Sequence, residues 1–207
     1  MDARPTATEP KRSGCMVAVV GPSGAGKDTL MAYAARFFEG RDDVVFVRRV
    51  ITRNAAAGGE DHDGVSEAEF EALEQAGRFA VSWGAHGLRY GIPVETKEAM
   101  AKGQLIVANG SRSALARFKD TYPSLVVINI TASLDVLAAR LEARGRETRE
   151  EILRRLERSS LTVTGDYQVV TIDNSGSLED AGRALVESLN GCLASHPIGS
   201  EKRSIVL

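Results

Sequence analysis

The sequence predicts an α/β fold built on a mainly parallel sheet. Three observations carry that prediction. Apolar, β-branched runs alternate with helical patterns through most of the 207 residues, the arrangement that parallel sheets require. The run Leu125–Ile130 (LVVINI) is continuously apolar, as a strand covered on both faces must be. The stretch Gly21–Thr29 (GPSGAGKDT) follows an apolar run, Cys15–Val20, and leads into a helical segment, Leu30–Phe38.

Strand, glycine loop and helix, with Lys27 after Gly26, form a phosphate-binding loop. Gly21 and Gly26 let successive backbone N–H groups turn inward, and the positive end of the helix adds to that nest. Gly21, Pro22, Ser23, Gly24, Ala25, Gly26, Lys27, Asp28 and Thr29 are thus the candidate triphosphate-binding residues. The usual pattern puts Ser or Thr after the lysine, for magnesium. Here Asp28 stands there and Thr29 follows.

The other elements follow in order. Val44–Ile51 (VVFVRRVI) is read as one strand, ending in Arg48, Arg49 and then Thr52–Arg53. A charged, glycine-rich loop comes next. Ser66 and Glu69 form a capping box that opens a helix over Glu67–Ala76. Phe79–Trp83 is a short strand, and GAHGLRYGIP a tight hairpin or turn. Pro93 is expected to start a helix that Gly103 ends. Leu105–Ala108 is a strand with NGSRS as its exit loop, and a helix over Ser113–Thr121 stops before Pro123. Ser133 caps a helix carrying Leu134, Leu137, Ala138 and Leu141. Gly145 breaks that pattern, and Thr148 with Glu151 opens another helix, to Ser160. Gln168–Ile172 is the last strand and Ser177–Asp180 caps the last helix. In such sheets the ligand lies outside the carboxyl ends of the strands. The phosphate loop, Thr52–Arg53 and NGSR are therefore expected to share one crevice.

Composition narrows the function. Hydrophobic residues make up 43% and charged residues 26%, with a formal net charge of −2. That balance supplies no global field for nucleic acid or an anionic membrane. No run approaches the roughly 20 apolar residues of a membrane span. The first 14 residues are polar and read as a disordered tail, without the apolar segment of a secretory signal. Cys15 and Cys192 show no ligand spacing and read as free thiols of a cytoplasmic protein. The three histidines, His62, His86 and His196, show no metal spacing either.

The segment RGRETREEILRRLER, residues 144–158, holds six arginines and four glutamates. Arg154, Arg155 and Arg158 fit a solvated helix face equally well. Arg146 and Arg149 flank a break between helices, as the arginines of a hinged lid over a transferring phosphoryl group would. No general base stands out. An acceptor that is already an anion needs none, and positioning and charge neutralisation suffice. Arg48, Arg49, Arg53 and Arg112 form a second basic cluster suited to a phosphorylated acceptor.

GPSGAGK, the TR after the second strand, VSEAEFEALEQAGRF, Tyr90–Gly91 and RGRETREEILRRL resemble the guanylate kinase family from Val17 to Asn190. The resemblance implies a three-layer fold of the P-loop nucleoside-triphosphate hydrolase type. It also implies an acceptor-binding arm at residues 48–92, a helical lid at 144–158, and a single domain over 15–194 with a tail at 195–207. The acceptor arm departs from that family. Ala56 stands where a second arginine is usual, Val81 replaces an acidic residue, the YGT motif reads Tyr90–Gly91–Ile92, and Ala108–Asn109–Gly110 replaces aspartates.

The departures resemble the ribose 1,5-bisphosphate phosphokinases of phosphonate breakdown, through GPSGAGKD, ITR, GGEDH, WxAHGLxYGIP and NGSR. That likeness implies transfer of the ATP γ-phosphoryl group to the 1-phosphate of ribose 1,5-bisphosphate. It implies ATP and Mg2+, with Asp28 and Thr29 toward the metal and Lys27, Arg146 and Arg149 as catalytic residues. Arg53, Glu60, His62, His86, Tyr90, Asn109, Arg112 and Arg155 are the acceptor candidates, with Asp61 and Arg89 nearby. A guanylate kinase with an unusual arm, a non-catalytic guanylate-kinase-like binding module, and a kinase of another phosphorylated metabolite fit the same frame. The intact Gly26–Lys27 speaks against the module. Monomer and homodimer are both compatible with the sequence.

Overall fold

The computed structural model describes residues 14–54, 61–143, 152 and 163–195. Its core is a five-stranded sheet in the order β2-β7-β1-β8-β9, with every described pairing parallel. The strands are β1 (Cys15–Val20), β2 (Val44–Phe46), β7 (Leu105–Asn109), β8 (Leu125–Thr131) and β9 (Gln168–Asp173).

β1 is central and buried along its whole length. Alternation sends Cys15, Val17 and Val19 to one face, against α1 (Lys27–Phe37), α5 (Leu134–Glu142) and α6 (Leu178–Ser195). Met16, Ala18 and Val20 go to the other, against Leu115 and Phe118 of α4 (Leu115–Thr121). Each fully buried Val or Ile contributes roughly 1.5–3 kcal/mol, which is why these strands tolerate no polar alternation. The expected three-layer α/β architecture is present.

Four strands form a second sheet, ordered β4-β3-β6-β5. These are β3 (Arg49–Ile51), β4 (His62–Gly64), β5 (Phe79–Ala85) and β6 (Leu88–Pro93). The expected single strand Val44–Ile51 is therefore two strands in two sheets. The Val47 N–H donates to the Val107 carbonyl at 2.8 Å, and the chain then leaves β7 for the second sheet. β-Branched residues lie on both sides of the break, and the two arginines at it do not by themselves mark a change of sheet. His62–Gly64, read as loop, pairs in parallel with β3.

Pro93 ends β6 and does not start a helix; α3 runs Glu95–Ala101. The helix expected from Ser113 opens as a 3₁₀ turn, Arg112–Ala114, before α4. The capping box on α2 (Glu67–Gln75) is formed, with Ser66 and Glu69 exchanging hydrogen bonds. Ser133 and Ser177 accept from the Val136 and Asp180 N–H groups, as the cap pattern requires. β5 and β6 meet in a two-residue turn at His86–Gly87, whose φ values are 53° and 72°. Both lie in the left-handed region, which defines a type I′ turn and matches the twist of the strands. The lid segment and both tails lie outside the described residues, apart from Ile152, which is helical and fully buried. Among the described residues no helix is long and apolar enough to cross a membrane.

Candidate phosphoryl-transfer site

The phosphate loop leaves β1 at the topological switch point, with β7 on one side and β8 on the other. Its glycines are fixed by contact as well as by torsion. A Cβ on Gly21 would overlap the Ile130 carbonyl oxygen. Gly26 has φ 87°, and a Cβ there would stand 2.5 Å from the Asn174 amide nitrogen. Lys27 Nζ donates to the Gly21 and Pro22 carbonyls at 3.0 and 3.1 Å, which holds its charge over the loop.

Two residues behind the loop carry no sequence motif. Asn174, just past β9, donates from Nδ2 to the Ala25 carbonyl at 2.7 Å and is 2% exposed. Arg140 on α5 donates to the Asn174 carbonyl at 3.0 Å and to the Gly24 carbonyl at 3.4 Å. Two distant segments, α5 and the exit of β9, thus hold the loop. The rule about carboxyl strand ends could have found Asn174. Arg140 sits among ordinary helix-face charges and gives no such signal.

Asp28 lies in the first turn of α1. Its Oδ1 accepts from Asn109 Nδ2 at 2.7 Å. Asn109 is buried at the end of β7, where its pairing with Val19 brings it beside the phosphate loop. Both residues line a cavity of about 400 Å³, together with Met31, Phe46 and Arg48. Asn109 therefore orients Asp28, beyond the acceptor contact expected of it. Thr29 is exposed and lines neither described cavity.

A larger cavity, about 530 Å³, joins the phosphate loop to the second sheet. Gly21, Pro22, Ser23 and Lys27 of the loop line it, with Ser111, Arg112 and Ser113 after β7. Arg49, Trp83, His86 and Tyr90 contribute from the second sheet and its turn. Its lining among the described residues contains no carboxylate. Burial pushes the Arg112 guanidinium below its usual value, but an arginine stays cationic at neutral pH. Such a cavity suits a polyanion.

The acceptor candidates divide accordingly. His86, Tyr90 and Arg112 meet in this cavity. Arg53 was expected at the carboxyl end of a core strand. It follows β3 of the second sheet, lines neither cavity, and places Nη2 3.4 Å from His62 Nδ1. His62 is buried, paired in register with Arg49. Asp61 and Asp63 hold Arg48 at 3.2 and 3.1 Å, so Asp61 takes part in an organising ion pair. Arg89 is paired with Glu74 and lies over the Phe70 ring, tying the hairpin to α2. Glu60, Arg146, Arg149 and Arg155 lie outside the described residues.

The guanylate kinase family model matches residues 13–191. Ribose 1,5-bisphosphate phosphokinase of Rhizobium etli (strain CIAT 652) is 63% identical, over 87% of this chain and 92% of its own. The protein of that name from Agrobacterium fabrum is 59% identical, over 84% and 95%. Among solved structures, guanylate kinase from Anaplasma phagocytophilum superposes with a TM-score of 0.62 at 20% identity, over 90% of this chain and 88% of its own. At that identity the superposition speaks for the fold. The glycine loop, the sheet order around it and these relatives agree: the chain belongs to the guanylate kinase family and, within it, to the ribose 1,5-bisphosphate phosphokinases.

Proposed function

We propose that this protein transfers the γ-phosphoryl group of ATP to the 1-phosphate of ribose 1,5-bisphosphate, giving 5-phospho-α-D-ribose 1-diphosphate and ADP. The cavity lined by Lys27, Arg112 and Arg49, with no carboxylate among its described lining residues, supports this reading best. Its cationic groups come from the phosphate loop, the segment after β7 and the second sheet, as an acceptor with two phosphates and no base demands. The relatives named for this reaction are similar over nearly the whole chain.

An oxygen of the 1-phosphate attacks the γ-phosphorus, and the bond to the β-bridging oxygen breaks. The attacking oxygen is already deprotonated at neutral pH, so no general base is needed. Lys27 and the loop amides bind the donor phosphates, and Arg112 neutralises the acceptor phosphate beside them. Arg146 and Arg149 are assigned to the transferring group and Arg155 and Glu60 to the acceptor, in segments outside the described residues. The Asp28 carboxylate, oriented by Asn109, fits magnesium, whereas the exposed Thr29 lines neither described cavity. When bound, the ion would neutralise developing charge on the phosphates. Cys15 and Cys192, buried and not joined in a disulfide, suit a cytoplasmic setting.

The test offers ribose 1,5-bisphosphate and GMP separately to the purified protein with ATP and magnesium, and follows products by phosphorus NMR. A new sugar diphosphate is expected. Turnover of GMP alone would overturn the proposal.

A further inference from the structure

Strand alternation separates two adjacent arginines of the second sheet. Arg48 points outward to Asp61 and Asp63. Arg49 points inward and is only 7% exposed. Register places Ile51 beside Tyr90, and Tyr90 beside Trp83, so these side chains share the inner face with Arg49. The Trp83 and Tyr90 rings stack at 5.3 Å with 10° between their planes. The Arg49 guanidinium carbon lies 4.8 Å from the Tyr90 centroid and 5.6 Å from that of Trp83. Cation–π contact of this kind contributes on the order of 1 kcal/mol and holds the guanidinium plane in one orientation.

This assembly lines the cavity from the second sheet, whereas the phosphate loop lines it from the first. Arg112 belongs to the loop after β7, which adjoins the phosphate loop through the Gly110 N–H bond to Val19. Arg49 belongs to the other sheet. The Trp83 and Tyr90 faces are engaged with one another and with the guanidinium, whose charge suits an anion.

We infer that Arg49, oriented by the Trp83–Tyr90 stack, recognises a second phosphate monoester on the acceptor, remote from the phosphate that is phosphorylated. Arg49 is thereby a specificity residue that separates bisphosphorylated from monophosphorylated sugars. The inference rests on the proposed function for the identity of the acceptor, but its first test needs no turnover.

Trp83 is the sole tryptophan of the chain, so intrinsic fluorescence reports on this stack directly. Ribose 5-phosphate, titrated without ATP, is expected to change the Trp83 emission saturably, whereas ribose does not. Arg49→Met should weaken that binding about tenfold to a hundredfold, the effect of losing a charge-assisted bond. Arg49→Lys keeps a charge over the rings but loses the fork, should fall between the two, and carries the test if the Met variant does not fold. In turnover, the kcat/KM ratio of ribose 1,5-bisphosphate to ribose 1-phosphate should fall at least tenfold in Arg49→Met, which a merely structural role would leave unchanged. An emission insensitive to the phosphate, equal binding by both folded variants and wild type, or an unchanged ratio would each overturn the inference. Failure of the wild type to phosphorylate ribose 1,5-bisphosphate would instead overturn the proposed function, with the fluorescence result still deciding the role of Arg49.

Discussion

Replacing Gly26 with alanine isolates what holds the phosphate loop. The residue has φ 87°, where an L-residue costs about 1–2 kcal/mol. The new Cβ would stand 2.5 Å from Asn174 Nδ2, so the bond from that amide to the Ala25 carbonyl must break. A buried acceptor left without its donor costs about 1–3 kcal/mol. Gly26→Ala should therefore destabilise by about 2–5 kcal/mol, or roughly 5–15 °C in Tm for a chain of this size. Asn174→Ala loses the same bond alone, at about 1–3 kcal/mol. Because the two changes forfeit one bond between them, the double variant should be no less stable than Gly26→Ala, a coupling of about 1–3 kcal/mol. Gly40→Ala is the control: its φ is 78° and a Cβ there meets nothing within 4 Å, so only the torsional strain applies. Urea unfolding of the four variants and wild type checks the cycle. Additivity within about 0.5 kcal/mol, or a Gly40→Ala cost equal to that of Gly26→Ala, would refute the claim that Asn174 packs against the loop.

Other perturbations probe the chemistry and the arm. Lys27→Ala should lower turnover by about 10²–10³-fold in a protein that still melts cooperatively; near-wild-type rates would remove Lys27 from the donor site. Asp28→Asn keeps an acceptor for Asn109, so the fold should persist while half-maximal magnesium rises about tenfold. An unchanged magnesium titration would move that role to Thr29 or another acid. The hydrogen bond from Ser82, aided by the pair with Arg89, holds the Glu74 carboxyl below its usual value against the opposing effect of burial. The stability this adds is present above the ordinary carboxylate range and lost as pH falls through the lowered value. Glu74→Gln should then cost at most about 1 kcal/mol near neutral pH, since solvent screens the pair, and nothing in strong acid; melting curves from pH 7 to 3 that keep a constant gap would contradict it.

Much of the site was legible before any coordinates. The glycine loop, Lys27 and the two-sided burial of β1 and β8 are local facts: a strand covered on both faces must be apolar throughout, and a backbone nest needs glycine where φ is positive. The caps at Ser66, Ser133 and Ser177 are local in the same sense, because donor and acceptor lie within one turn. The division of Val44–Ile51 between two sheets was not legible, because both halves carry β-branched residues and only pairing with β7 and β6 tells them apart. For the same reason Arg48, Arg49 and Arg53 read as one basic cluster. Pairing and pleat place Arg48 outward with acids, Arg49 inward under two aromatic rings, and Arg53 beside His62. Asn174 and Arg140 reach the phosphate loop from more than a hundred residues away in the chain. The sequence alone determined an α/β frame carrying a phosphate-loop motif, since those signals are written within a few residues. Which arginines line the cavity was decided by tertiary structure, because a side chain's partner across a sheet depends on register, and register is a property of two strands together.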